Sequence, residues 1–145
     1  MDNKTAFRIR TNEGKKEIYD TIRKRFVLLT QEEMVRQAYI AYLLQEVKVP
    51  EILISVEKKI TYNTLSKRYD IVVANPNGTI LIAVECKAES VNLNEDSLSQ
   101  LALYNAELQA KYLVLFNGKQ QIVFQKKDNS YTLISTLPPY EKMLL

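Results

Sequence analysis

Between Arg68 and Lys87 the chain carries two β-rich runs joined by Asn75-Pro76-Asn77-Gly78. Asn-Pro and Asn-Gly are strong turn dipeptides, so the segment reads as a β-hairpin. Both faces of that hairpin are apolar. Tyr69, Ile71, Val73, Ile80, Ile82 and Val84 fall on one face, and Val72, Leu81 and Ala83 on the other. Strands that are apolar on both faces belong in the middle of a sheet covered from two sides. The rest of the chain must supply the covers.

The flanking segments can do so. Thr30-Gln31-Glu32-Glu33 fits a capping box and opens a helix that runs to about Glu46, before Pro50. Ile52 to Ile60 reads as a strand with Ile52, Ile54 and Val56 on one face. After the hairpin, Asn94 caps a second helix, about 95–110, and Tyr112 to Asn117 forms a strand ending at Gly118. Gln121 to Lys126 and Tyr131 to Ser135 make a last hairpin around Asp128-Asn129-Ser130, and Leu137-Pro138-Pro139 ends regular structure. Before Thr30, Phe7 to Arg10 and Ile18 to Ile22 alternate like short strands. The order α-β-β-β-α-β plus a terminal hairpin predicts an α/β fold, a three-layer α/β/α sandwich around a mixed sheet.

With 145 residues, 46% of them hydrophobic and 26% charged, one globular domain over 1–145 is expected, with its core at about 17–135. The longest apolar run, Ala38 to Leu44, is too short to span a bilayer, and the first residues lack an apolar signal stretch. A cytoplasmic location without membrane contact is expected. The net charge of +3 is concentrated at the start: residues 1–25 carry +4. Residues 1–16 read as a basic arm, either a solvated terminus or a contact for a polyanion.

The missing residues narrow the chemistry. There is no histidine, which removes Ser-His-Asp and Cys-His catalysis and every His-ligated metal motif. One cysteine, Cys86, allows no internal disulfide. Three isolated glycines allow neither a dinucleotide-binding fingerprint nor a phosphate-binding Walker loop. Catalysis would have to rest on carboxylates, lysine or a metal-bound water.

Charged residues interrupt the buried hairpin at three places. Closing it symmetrically at Asn75–Gly78 pairs Asp70 with Ala83, and Glu85 becomes the diagonal neighbour of Asp70 on the same face. Lys87 shares that face, because strand side chains alternate with period two. Two neighbouring buried carboxylates repel and need a cation. Oxygen-ligated Mg²⁺ beside a lysine would suit phosphodiester hydrolysis. A strand-end salt bridge, Asp70 or Glu85 with Lys87 or Arg68, explains the same charges without catalysis.

Asp70 followed fifteen residues later by Glu85-Cys86-Lys87 resembles the PD-(D/E)XK nuclease motif. Further segments resemble the N-terminal nuclease domain of type I restriction enzyme R subunits, in a small stand-alone form. They are Leu29 to Gln37, Lys67 to Val73, Val84 to Ala88, Gln100 to Asn105 and Phe116-Asn117-Gly118, and the resemblance covers about residues 17–125. In one place the chain departs from the pattern: Tyr69, not proline, precedes Asp70.

The resemblance implies a restriction-endonuclease-like αβββαβ fold and a metal-dependent DNA endonuclease or nicking enzyme. It implies Mg²⁺, or Mn²⁺, on Asp70, Glu85 and the Cys86 backbone carbonyl, with Lys87 catalytic. It also implies a Gln-x-x-x-Tyr element at Gln100 and Tyr104 that contacts DNA and shapes the site. Glu33 could be the helix-borne third acid of such nucleases, although a capping-box glutamate is expected at that position anyway. Glu32 is a weaker candidate, and Glu57 and Lys58 fit the place where a strand meets water. The Cys86 side chain points away from the site as a core thiol, and Tyr39 and Tyr42 read as helix packing. DNA and the motor or specificity subunits of a restriction system are the implied partners. The chain has no room for a translocating motor, so ATP-driven restriction is not expected of it by itself. The alternative function is a catalytically silent nuclease-fold module that binds DNA or a partner protein.

Overall fold

The structure, a computed structural model, describes residues 6–62, 65–94, 96–97, 101 and 109–144. The hairpin predicted from its doubly apolar faces lies at the centre. Six strands form one sheet in chain order: β4 (Ile54–Tyr62), β5 (Leu65–Ala74), β6 (Ile80–Cys86), β7 (Tyr112–Phe116), β8 (Gln121–Lys127) and β9 (Ser130–Ile134). Only β6 and β7 run parallel; every other neighbouring pair is antiparallel. A parallel step needs a crossover, and residues 87–111 provide it.

Two apolar clusters lie on the two faces of this sheet. On one face, helix α1 (Gln31–Tyr42) places Val35, Tyr39, Ile40 and Tyr42 against Ile71, Val73, Ile82, Val84, Val114 and Phe116. The Tyr39 ring sits 5.3 Å from Tyr42 and 4.9 Å from Phe116. Both tyrosines are core residues, as their helix positions predict. On the other face, Leu93, Leu101 and Ala110 cover Tyr69, Val72, Ala83, Leu113 and Leu115. Residues 96, 97 and 101 are helical there, and the Asn94 carboxamide caps that start by accepting from the Ser97 N–H at 3.1 Å. The α/β/α layering predicted from element order is therefore the fold. The second helix does not extend to Ala110: Gln109 has a left-handed φ of 56° and Ala110 is non-helical. Most of this helix lies outside the described residues.

Helix α1 starts where expected. The Thr30 hydroxyl accepts from the Glu33 N–H at 3.0 Å. Its end differs: after Tyr42 the chain widens into a π-helical turn, Leu43–Val47, closed by Lys48 with a left-handed φ of 68°. Ile52, predicted in a strand, lies in a short 3-10 turn (Glu51–Leu53) and is 91% exposed. Among the described residues no helix is long and apolar enough to cross a membrane.

The N-terminal segment is more ordered than an arm. Strands β1 (Ile9–Asn12), β2 (Lys15–Asp20) and β3 (Arg25–Leu28) form a separate three-stranded antiparallel sheet. Residues 9–16, expected to belong to a basic arm, are a strand, a turn and the start of a second strand. The turns at Glu13-Gly14 and Lys24 use left-handed backbone, φ 50°, 78° and 57°.

Candidate active site

The central hairpin closes one residue later than symmetric pairing predicts. The Gly78 N–H donates to the Asn75 carbonyl at 2.9 Å, and Asn75 N–H to the Thr79 carbonyl at 2.7 Å. Gly78 takes φ 91°, which a side chain would resist, so the loop has three residues, Pro76 to Gly78. A bulge then adds Leu81: Ala74 faces Ile80, whereas Val73 faces Ile82. Each step moves the register by one. Ile71 therefore faces Val84, and Ala83 faces Val72 instead of Asp70; continued one step past its last pair, this register brings Asp70 level with Glu85. The diagonal offset expected between the two acids is removed, although the ladder itself stops at Ile71 and Val84.

The ladder is interrupted on both sides of Asp70. Glu57, the β4 residue opposite it, has a left-handed φ of 54° and makes no ladder pair, although Val56 faces Ile71 and Lys58 faces Tyr69. Towards β6, one Asp70 carboxylate oxygen accepts from the Cys86 N–H at 2.7 Å, taking a donor that a strand partner would otherwise use. The other oxygen accepts from Arg36 of α1 at 3.2 Å. Ile71 also packs on the α1 side, so strict alternation fails between Asp70 and Ile71.

Glu85 turns elsewhere. Its carboxylate lies 3.0 Å from the Lys67 ammonium, itself 5.3 Å from the ring of Tyr69, a residue of the opposite core cluster. The single shared face expected for Asp70, Glu85 and Lys87 is thus a cluster straddling the strand ends. Burial raises the Glu85 carboxyl above the ordinary 4.5; Lys67 and Lys87 pull it down and Asp70 pushes it up without reversing that. The Glu85–Lys67 contact is an ion pair by distance, yet Oε2 is buried and among the described residues has no hydrogen bond in line. Lys87, just past β6, is half-buried and its N–H donates to the Phe116 carbonyl at 2.8 Å. The Cys86 side chain lies in the α1-side core, 5% exposed. Burial foremost, then the nearby Asp70 charge, drives its thiol well above its ordinary value.

Glu33 does not take the capping-box role weighed for it from sequence. Its carboxylate does not close a capping box, because Thr30 N–H donates to the Leu28 carbonyl. It is 6% exposed and accepts from Arg23 at 2.6 Å, Arg36 at 2.8 Å and Gln37 at 3.3 Å. Arg36 also approaches Glu57 at 3.5 Å and Glu32 at 3.6 Å. Arg23 bridges onward to Asp20, fully buried, and to Glu57 at 3.4 Å. Burial works against the charge on Arg36, but Glu33, Asp70 and Glu57 outweigh it and hold the guanidinium above its ordinary value. Burial likewise penalises the Asp20 carboxylate, and hydrogen bonds from Arg23 and Ile22 overcome it, holding the carboxyl below its ordinary value.

Sequence reasoning missed Arg23, Arg36 and Lys67 as the partners of these acids, naming Lys87 or Arg68 instead. The available signal was Arg36 and Gln37 three and four residues after Glu33, on the helix face that carries Val35 and Ile40 to the core. Gln100 and Tyr104 lie outside the described residues. Among the described residues, no three acidic or thiol groups gather closely enough to enclose a metal by themselves.

A solved DUF820 protein from Anabaena variabilis, described as a candidate nuclease, superposes with a TM-score of 0.47 at 14% identity, covering 88% of this chain and 76% of that one. Among curated proteins none matches. The family described as the type I restriction enzyme R protein N terminus matches residues 31–138, from the first residue of α1 past the last strand. That match takes in α1, the whole six-stranded sheet and the cluster around Asp70 and Glu85, and the chain belongs to the type I restriction enzyme R protein N-terminal family.

Proposed function

We propose that the chain is a metal-dependent DNA endonuclease or nicking enzyme of the PD-(D/E)XK type, with Asp70, Glu85 and Lys87 at its centre. The observation that carries this reading is the closeness of the Asp70 and Glu85 charges just past the Ile71–Val84 pair, where the ladder is interrupted, with Lys87 two residues on. Membership of a restriction-enzyme family supports a nuclease-related role. The donor set suits Mg²⁺ or Mn²⁺, which commonly use one or two protein carboxylates and leave other positions to water and phosphate. Asp70, Glu85 and the Cys86 carbonyl would hold the ion, which when bound polarises a phosphate and acidifies its water.

The chain's own residues do the positioning. Arg36 and the Cys86 N–H fix the Asp70 carboxylate, and Lys67 holds Glu85. Lys87 brings a positive charge to the place where a scissile phosphate gains negative charge. DNA is the proposed substrate, and other components of a type I restriction system are the proposed protein partners.

One observation favours a second reading. Arg36 already neutralises Asp70, so the cluster is also complete as a salt-bridge network in a catalytically silent DNA- or partner-binding module. Nicking of supercoiled plasmid with Mg²⁺ or Mn²⁺ decides between them. The endonuclease reading expects nicking by the native chain and its loss in Lys87→Ala and Asp70→Asn. No nicking with either ion selects the silent module, and equal nicking by Lys87→Ala removes the proposed site.

A further inference from the structure

The β1–β2–β3 sheet has two unlike faces. Tyr19 lies beside Arg8, its N–H donating to the Arg8 carbonyl at 2.8 Å, and opposite Phe26 on β3. Arg10 is opposite Glu17, and Asn12 opposite Lys15. Alternation puts Arg8, Arg10, Asn12, Lys15, Glu17, Tyr19 and Phe26 on one face. The other face carries Ile18, fully buried, and Asp20.

The first face is exposed and basic. The Arg8 guanidinium lies 4.5 Å from the centre of the Tyr19 ring and 5.5 Å from that of Phe26. The Arg10 guanidinium lies 3.9 Å from the centre of Phe26. The two rings meet edge to face at 5.3 Å. Glu17 pairs with Arg10 at 2.8 Å, but among the described residues Arg8 and Lys15 have no carboxylate partner. Arginines stacked on rings have already lost much of their side-chain freedom, and their forked N–H edges stay available to phosphate. Folding has held two guanidiniums beside an uncompensated lysine, an arrangement complementary to a regular polyanion.

The sheet that carries this face is tied to the candidate site. Arg23, in the β2–β3 turn, contacts Glu33 and Glu57, and both contact the Arg36 that holds Asp70. We infer that the Arg8–Arg10–Lys15 face of this sheet docks the phosphate backbone of duplex DNA. The choice of DNA rests on the nuclease reading; the docking face does not depend on catalysis. Arg8 and Lys15 each take a phosphate, and the Tyr19–Phe26 pair keeps Arg8 in place.

The test is fluorescence anisotropy of a labelled DNA duplex with the full chain in EDTA, so that nicking plays no part. Each phosphate contact contributes about −0.9 to the slope of log K against log salt. Arg8→Gln with Lys15→Gln should flatten that slope by about 1.8. Between about 50 and about 200 mM salt the native chain should then lose roughly twelvefold more affinity than the double variant. Lys126→Gln with Lys127→Gln, on β8 far along the other sheet, should leave the slope unchanged. Lys15→Gln alone, an exposed change beside a turn, should flatten it by about 0.9 and guards against a folding defect at Arg8. Lys87→Ala removes one cation at the candidate site and should flatten the slope by no more than about 0.9, half the effect of the Arg8/Lys15 double variant. An unchanged slope in the Arg8/Lys15 variants overturns the proposal. Equal flattening by the Lys126/Lys127 pair overturns it too, because it would mark a bulk charge effect. Loss of affinity in Lys87→Ala with the Arg8/Lys15 variant intact would place binding at the candidate site instead.

Discussion

Replacing Arg36 by methionine should be among the most damaging single changes in this protein. The side chain is 5% exposed, and methionine keeps much of its apolar length while removing the charge. Its partners fare differently. Glu32 and Glu57 are 61% and 43% exposed, and losing such pairs costs little. Glu33 keeps Arg23 and Gln37. Asp70, 13% exposed, keeps among the described residues only the Cys86 N–H. One buried carboxylate is left without its cation, and breaking a buried pair from one side costs about 3–5 kcal/mol. The surviving partners of Glu33 put the expected loss near the lower end, about 3 kcal/mol. For a chain of this size that is a fall in Tm of roughly 6–12 °C. Urea denaturation of the single variants and of Arg36→Met with Asp70→Asn completes the cycle. Removing both charges should recover most of the loss. A double variant as unstable as Arg36→Met, or a single variant within about 0.5 kcal/mol of native, would refute the coupling described here.

Three further outcomes are expected. Glu85, raised by burial, stabilises the fold below its unfolded value near 4.5 and loses that contribution as pH rises through its folded value. Glu85→Gln should therefore gain stability relative to native at pH 7–8 and lose the gain below about pH 4, as read by Tm against pH; a constant difference would refute this. Gly118 has φ 94°, and an added Cβ would sit 3.4 Å from Val35, so Gly118→Ala should cost about 1–2 kcal/mol in chemical denaturation. The buried Cys86 thiol should resist a thiol reagent at pH 8 until the chain unfolds; prompt labelling of the native protein would contradict its place in the core.

The layered fold was legible because its strongest signals are local and redundant. The β5–β6 strands are apolar on both faces, and Thr30 is followed by a helix whose buried positions recur at helical spacing. Details that depend on single backbone conformations were not. The left-handed Gly78 and the bulge at Leu81 together shifted the register so that Val72, not Asp70, faces Ala83, and nothing in the alternation of side chains marks either. Ile52 fitted the strand pattern but fell in a 3-10 turn after Pro50. The β1–β3 sheet was half visible, as two alternating runs, because Arg25 to Leu28 is short and its pairing is set by the Lys24 turn. At the site, Asp70, Glu85 and Lys87 were legible as charges in an apolar hairpin. Their partners were not, since Arg36 and Asp70 are 34 residues apart and meet only through tertiary packing.

The break in the ladder at Asp70 also divides β5 into two mechanical regimes. From Ile71 to Val73 the strand is paired on both edges, by β4 and by β6. From Leu65 to Tyr69, among the described residues, it pairs with β4 alone, so this end of the strand runs past the last β5–β6 pair as a two-stranded ribbon. Isolated two-stranded ribbons are marginal in water. Their amides should exchange with solvent through small local openings, whereas those of Ile71 and Val73 wait for global unfolding. Asp70 sits on the boundary, and Lys67 reaches from the ribbon to Glu85 on the rigid side. The acids of the candidate site thus lie on a hinge line, where a stiff sheet meets a compliant strip of the same strand.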